Sequence, residues 1–337
     1  MFTSKPNRGR IFQVTQYLSL IYVIFITSWF ILWLTVGDKS WWLTILNTIV
    51  PCLFLPTLLL LFLFIRIRSL RVVFQLLIPV LIFGTMYSPY LFPRTTKTNG
   101  NPNLSVITYN ALFSNTHYDN VAQVILTYQP DFVTFQEIQP VMMEQLKQRL
   151  GDVYPYSIMG QEHSFGTTAI FSRHPSINAY TLDLGVGGTA VVWETQINQK
   201  IIKVISAHLL YYGLERVNVS DMPKAIMEDT VAQNMQAQLI IDEIHKYEGI
   251  VILGCDCNSK ETSSSYRILA NTLNNSARAA GWSLFGKTPE NTKYDRNIQH
   301  IDYVFYRGEL EPFQVVTIKN SGGSDHSPIL ALLEMKR

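Results

Sequence analysis

Eight residues of types suited to metal and acid–base chemistry sit at or beside the ends of apolar runs. Asn110 closes "SVITYN", Glu137 closes "FVTFQE", His208 ends "VISAH", and Asp256 and Asn258 end "VILGCDCN". Asp302 opens "DYVF", and Asp325 and His326 precede "SPILALL". Strand ends are where a sheet offers side chains to a shared cleft. Singly, each has a plainer reading: a cap, a solvated edge, a hydrogen-bonded core histidine, ordinary loop polarity. Those readings would all have to hold together to remove the site. The donor types define a chemistry. Carboxylate and amide oxygens, with few thiolates and no paired histidines, suit a hard cation such as Mg²⁺, with Mn²⁺ as the alternative. Such a cation polarises a phosphoryl oxygen. A His–Asp pair can take a proton from water, the Asp fixing the ring tautomer. Amide and imidazole donors can stabilise charge developing on phosphorus. His117, His163, His174, His245 and His300 belong to no such set and read as surface or supporting residues.

In "VILGCDCNSK", Asp256 stands between two of the three cysteines of the chain. A zinc clip needs about four ligands at Cys/His spacing, and none is near. An i,i+2 disulfide along one extended strand is poorly placed, because two residues of strand separate Cα atoms by about the upper limit for bridging, ~6.8 Å. Side chains alternate faces. Asp256 and Asn258 should therefore face the cleft, with Cys255 and Cys257 packing inward as free thiols, small hydrophobes among others.

The elements that must position these residues alternate along the second part of the chain. Runs rich in Val, Ile, Phe and Tyr predict strands at 104–110, 131–137, 167–172, 190–197, 201–209, 250–257, 300–307 and 328–335. Helical patterns fall at 118–129, 140–150, 230–247 and 262–275; the first carries apolar residues at 121, 124, 125 and 128, one helical face. The acids of "ELEP" read as a solvated loop. Strand–helix alternation with extra hairpins predicts an α/β sandwich, not a simple doubly wound sheet.

The ordered set "ITYN", "FQE", "GTTAIFSRHP", "SAHL", "CDCN", "IDYVF" and "SDHSPI" resembles the endonuclease/exonuclease/phosphatase family, the DNase I-like fold, over residues 103–337. The resemblance implies a four-layer αββα sandwich and a Mg²⁺-dependent phosphoester hydrolase. It implies Glu137 as main metal ligand with Asn110 and Asp325 beside it, and His326 at the scissile phosphate, oriented by Asp302. Asp256 would position or deprotonate the attacking water or serve the leaving group. Asn258 and His208 would hold the phosphate. The family pattern Gly-Asp-Phe-Asn is replaced here by Cys-Asp-Cys-Asn, which leaves the acid and amide in register.

The first hundred residues differ in kind. Of 27 basic residues nine lie within residues 1–100, and of 25 acids only Asp38 does, which leaves 18 basic and 24 acidic residues, net −6, in the remainder. Three uncharged runs, 15–36, 40–65 and 72–93, each exceed the roughly 20 residues a spanning helix needs. They predict three transmembrane helices at about 15–36, 42–65 and 72–92 in a bundle occupying 1–93. Pro51 and Pro56 should bend the second. A signal peptide fits poorly, since the first run is too long and no small-x-small site follows. Lys5, Arg8 and Arg10 precede the first run, and Arg66, Arg68 and Arg71 lie between the last two. The positive-inside rule puts both groups in the cytoplasm. The predicted protein is then a multi-pass cell-membrane protein whose linker, 94–102, and body, 103–337, lie outside the cytoplasm. Trp41, Trp42, Tyr87 and Tyr90 would mark the outer interface.

This layout narrows the substrate. The fold alone does not choose among phosphoesters. A body of net −6 without a Lys/Arg cluster disfavours nucleic acid, which is bound through its backbone by basic surfaces. A short tether to the bilayer raises the effective concentration of a lipid-borne phosphate. The layout is similar to that of membrane-anchored polyprenyl pyrophosphate phosphatases of the teicoplanin-resistance type. A lipid-linked phosphate or pyrophosphate is the first expectation, and an anchored nuclease or sphingomyelinase-like phosphodiesterase the second. An inactive scaffold is the third, weakened by the intact acid, amide and histidine set. No stable protein partner is expected.

Overall fold

The computed structural model describes residues 8–67, 70–91, 101–161, 166–213, 217–280 and 300–336. The chain divides into two compact units, Met1–Ser88 and Pro89–Arg337.

The first unit is helical: α1 (Arg8–Thr35), α2 (Trp41–Thr48), α3 (Val50–Leu53), α4 (Leu55–Ile67) and α5 (Leu70–Leu91). Two stretches, Phe12–Thr35 and Leu70–Pro89, are long and apolar enough to cross a membrane. The middle run departs from the expected single span. Trp41–Thr48 and Val50–Leu63 meet at 80°, so the unit has two candidate spans, or three if the bent pair counts as one. Pro51, which cannot donate a backbone hydrogen bond, follows the break at Ile49. Large apolar side chains such as Ile21, Leu58, Phe62, Phe74 and Leu81 point outward, as a lipid-facing surface requires. Polar groups pair inside instead. Ser19 donates to Gln75 at 2.6 Å, Trp29 Nε1 to Asn47 Oδ1 at 3.0 Å, and Asn47 Nδ2 to Asp38 Oδ1 at 2.5 Å.

The second unit has two six-stranded sheets. The first runs β11 (Leu310–Thr317), β12 (Ile329–Met335), β1 (Leu104–Asn110), β2 (Phe132–Ile138), β4 (Thr167–Ser172), β3 (Tyr156–Met159). The second runs β5 (Ser176–Asp183), β6 (Thr189–Ile197), β7 (Lys200–His208), β8 (Ile250–Asp256), β10 (Asp302–Arg307), β9 (Asn274–Asn275). Within β1, Val106 packs into the cluster that also holds Ile252 and Val304 of the second sheet, while Ile107 and Tyr109 face α6 (Tyr118–Tyr128) and α7 (Pro140–Leu150). Within β8, Ile250 and Ile252 face the first sheet. Val251 and Leu253 pack on the side of α8 (Met222–His245) and α9 (Ser264–Ala270). A short α10 (Ser276–Ala280) lends Ala279 to the inter-sheet cluster. Period-two alternation thus serves two cores per strand, and the layers stack helix, sheet, sheet, helix, as expected.

Strands β3, β5, β9 and β11 lie outside the sequence-predicted set; β9 takes the end of the helix predicted at 262–275, where α9 stops at Ala270. Leu310, Glu311 and Pro312 of "ELEP" belong to β11, an edge strand bulged between Pro312 and Gln314, not to a free loop. An edge tolerates both the proline and the exposed acids. Helix α8 begins at Met222 rather than Thr230, since Pro223 is harmless in a first turn. Most of the linker 94–102, together with His163, lies outside the described residues.

Candidate active site

The strands deliver the predicted residues to one end of the sandwich. Chain parity aims Asn110, His208, Asp256 and Asp302 inward: each lies an even number of residues from inter-sheet core positions Val106, Val204, Ile252 and Val304. Glu137 is the exception. Parity would send it toward the helix layer with Phe135. Instead it adopts φ +57° at a register shift between Phe135 and Ile138, and this bulge re-aims its carboxylate to the cleft. Gly166 makes the bulge feasible. It has φ +81°, and a Cβ there would lie 2.8 Å from the Glu137 carbonyl carbon.

The carboxylates are held by donors from both sheets. Asn110 Nδ2 donates to Glu137 Oε1 at 2.9 Å and to Asp256 Oδ2 at 2.7 Å, bridging the sheets. The Phe113 N–H donates to Glu137 Oε2 at 3.1 Å. Asn110 is fixed in turn, its Oδ1 accepting from Leu112 N at 2.9 Å and its carbonyl from Ser324 Oγ at 2.7 Å. His208 Nε2 lies 3.6 Å from Asp256 Oδ2 and 3.9 Å from Glu137 Oε1. Asn258, in the left-handed region at φ +45°, donates from Nδ2 to the Leu209 carbonyl at 2.9 Å, with His208 Nε2 3.1 Å away. Its N–H caps Asp256 Oδ1 at 3.1 Å.

His326 Nδ1 donates to Asp302 Oδ2 at 2.8 Å, and its Nε2 lies 3.9 Å from Asp256 Oδ2. Burial alone would push the imidazole pKa down, but the charges of Asp302 and Asp256 outweigh it and hold it well above the usual histidine value. Burial pushes the Asp302 carboxyl up, against the pull of His326. The surrounding carboxylates favour the protonated ring. Asp325 is exposed and stands apart from the carboxylate clusters; it acts on His326 only as a further negative charge.

Two sets bring ligand atoms within 4.8 Å of one another: Glu137, His208 and Asp256; and Asp256, Asp302 and His326. Among the described residues Asp302 Oδ1 is buried with no hydrogen-bond partner. Two carboxylates bridged by one amide, with the orphaned oxygen of Asp302 in the adjoining set, fit a hard divalent cation.

Sequence reasoning missed two supports. Gln136, fully buried, donates from Nε2 to Ser206 Oγ at 3.2 Å and to Thr108 Oγ1 at 3.2 Å beneath the site. The second is the covalent state of the cysteines. Cys255 and Cys257 are joined by a disulfide, not free. The extended spacing that argued against a bond does not hold at the end of β8, where the Cα atoms lie 5.2 Å apart, inside the bridging range of about 4.4–6.8 Å. Their direction is as expected: both are buried in the cluster that faces α8.

A sandwich of two sheets with this acid, amide and histidine cluster at one end is the architecture of a phosphoester hydrolase. The model of the Endonuclease/Exonuclease/phosphatase family matches residues 107–326, and the chain belongs to that family. It is an enzyme of the divalent-metal-dependent phosphoester hydrolase class. No curated protein matches the chain. Among solved structures, the endonuclease/exonuclease/phosphatase from Bacteroides vulgatus is similar at 18% identity and TM-score 0.54, over 69% of this chain and 99% of that one. D. rerio TDP2 complexed with single strand DNA product is similar at 17% identity and TM-score 0.54, over 68% and 98%. A family protein from Bacteroides thetaiotaomicron aligns over 71% and 100%, at 15% identity and TM-score 0.52.

The role of Gly166 is testable. A Gly166→Ala variant meets the Glu137 backbone and the ~1–2 kcal/mol cost of the left-handed region, so Mn²⁺ binding followed by electron paramagnetic resonance is expected to weaken about tenfold. Unchanged affinity would show that the bulge does not depend on this glycine.

Proposed function

We propose that the protein is a membrane-anchored, outward-facing phosphohydrolase of a lipid-linked phosphate or pyrophosphate. Residues 1–93 form its membrane domain, 94–102 its linker and 103–337 its catalytic domain. One observation carries the reading: a cross-sheet acid, amide and histidine cluster occurs on a chain whose first unit holds two or three helices apolar enough to span a bilayer. A nine-residue linker extends to at most about 30 Å, which confines the body to the neighbourhood of lipid headgroups. The net −6 charge after residue 100 favours this over a nucleic-acid substrate.

In this reading Glu137 and Asp256 would hold a divalent cation, Mg²⁺ before Mn²⁺, and Asn110 would join them by turning its Oδ1 from the Leu112 N–H toward the carboxylates its Nδ2 now faces. Asp325, exposed in the structure, would have to move to join them. When bound, the cation supplies Lewis-acid polarisation of a phosphoryl oxygen and offsets the carboxylate charge. His326, held by Asp302, presents a cationic N–H to a non-bridging phosphate oxygen and stabilises the charge that develops there. Asn258 and His208 hold the phosphate from the β7–β8 side. Asp256 accepts a proton from the attacking water, the new P–O bond forms, and the bond to the leaving group breaks. Burial of Asn110 and Asp256, each 1% exposed, keeps bulk water from competing for these contacts.

The test is a substrate panel on purified protein with Mg²⁺: a polyprenyl pyrophosphate, sphingomyelin, plasmid DNA and bis-p-nitrophenyl phosphate. Turnover of the lipid pyrophosphate is expected, with His326→Ala lower by about 10³-fold. Equal activity in the variant would remove His326 from the site. DNA nicking without lipid turnover would overturn the substrate class. For sidedness, alkaline phosphatase fused after residue 100 is expected to be active and after residue 68 inactive; the reverse pattern would place the body in the cytoplasm.

A further inference from the structure

The Cys255–Cys257 disulfide brackets Asp256, the residue on which both ligand sets converge. Its neighbours fix the chain on every side but one. In β8, Asp256 pairs with His208 of β7 and with Asp302 of β10. The Leu209 N–H donates to the Asp256 carbonyl at 3.0 Å, and the Cys257 N–H to the Ile301 carbonyl at 2.9 Å. One residue later the chain turns into the left-handed region at Asn258, whose carbonyl accepts from Gln233 Nε2 of α8 at 3.2 Å. Between ladder and turn two local bonds set the chain pitch among the described residues: the Asn258 N–H to Asp256 Oδ1 at 3.1 Å and, on the opposite face, the covalent disulfide. The disulfide holds Cα atoms 5.2 Å apart, where two residues of extended strand would span about 6.4–6.8 Å.

We propose that the disulfide is a positioning device for the phosphate site. It holds the end of β8 contracted, so that the Asp256 carboxylate meets Asn110 while Asn258 meets Leu209 and His208. The inference rests on the reading of Asp256 and Asn258 as site residues. Both sulfurs are buried on the α8 side, the face opposite the carboxylate, so the cysteines act through Asp256 and do not touch substrate. Opening the bond frees the pitch by about an ångström, and productive sites tolerate roughly 0.5 Å. A misplacement of about 1 Å can cost on the order of 100-fold in rate. Asn110 still holds the carboxylate, so the expected loss is about 10- to 100-fold in kcat.

The full chain in detergent is compared in four states: as purified, reduced with a phosphine that cleaves S–S to two thiols, reoxidised, and as Cys255→Ala/Cys257→Ala. Alkylation and mass spectrometry count the thiols. Bis-p-nitrophenyl phosphate turnover gives kcat and KM, Mn²⁺ binding is read by electron paramagnetic resonance, and circular dichroism reports the fold. Cys52→Ala, in the helical unit, serves as control. The proposal expects one free thiol as purified, and lower kcat with KM within about twofold after reduction or in the double variant. It also expects weaker Mn²⁺ binding, and recovery of both on reoxidation. Three free thiols in active protein, or full kcat and Mn²⁺ affinity after reduction, would overturn it. Loss of kcat together with loss of the fold would make the bond merely structural and overturn it equally. If no phosphoester is turned over in any state, the proposed function fails, and the Mn²⁺ titration alone decides the role of the disulfide.

Discussion

The site depends on how closely the two sheets approach at one level of the sandwich. At Gly254 of β8 a Cβ would lie 1.9 Å from Thr134 Oγ1 of β2, so the small Thr134 and Thr108 side chains of the first sheet pack directly on the β8 backbone there. Just above, Gln136 reaches Ser206 across the gap, and Ser206 Oγ donates to the Phe135 carbonyl at 2.8 Å. These buried polar contacts set a register that an apolar core of interchangeable Val and Ile would leave loose. Asn110 lies in register with Gln136, and Asp256 two residues beyond Gly254; the two are joined at 2.7 Å. Half of the site belongs to each sheet, and its spacing is fixed by this layer rather than by the catalytic residues themselves.

That arrangement explains the electrostatics. Glu137, Asp256 and Asp302 are brought together with only Asn110, His208 and His326 to offset them. Concentrating like charges in a partly dry cleft is unfavourable unless a cation or a bound proton compensates. The protonated His326 ring offsets one of these charges, and the orphaned Asp302 Oδ1 is an acceptor still without a partner among the described residues.

Much of this was legible in the residues. The strands carrying Asn110, Glu137, His208, Asp256 and Asp302 are marked by their β-branched and aromatic runs, and alternation correctly put Asp256 on the cleft face and the cysteines in the core on the opposite face. What was not legible depended on backbone departures from ideal strands. Alternation alone would misplace Glu137, because the bulge opposite Gly166 is a non-local feature. The disulfide was excluded on extended-strand spacing that β8 abandons at its last residue. Asp325 was grouped with the ligands on the family resemblance; it is exposed and lies outside the two carboxylate–histidine sets. In the helical unit, hydropathy located the apolar runs and Pro51 and Pro56 marked a bend in the second, but composition could not say that the bend reaches 80°.

The account stands on a single cation bound across the two sheets. The most direct measurement is an anomalous diffraction map of crystals grown with Mn²⁺. The account predicts a peak among the side-chain oxygens of Glu137, Asn110 and Asp256, at the roughly 2.0–2.2 Å expected of hard-cation ligands. A fully occupied peak elsewhere on the body, or none at this position under saturating Mn²⁺, would contradict it.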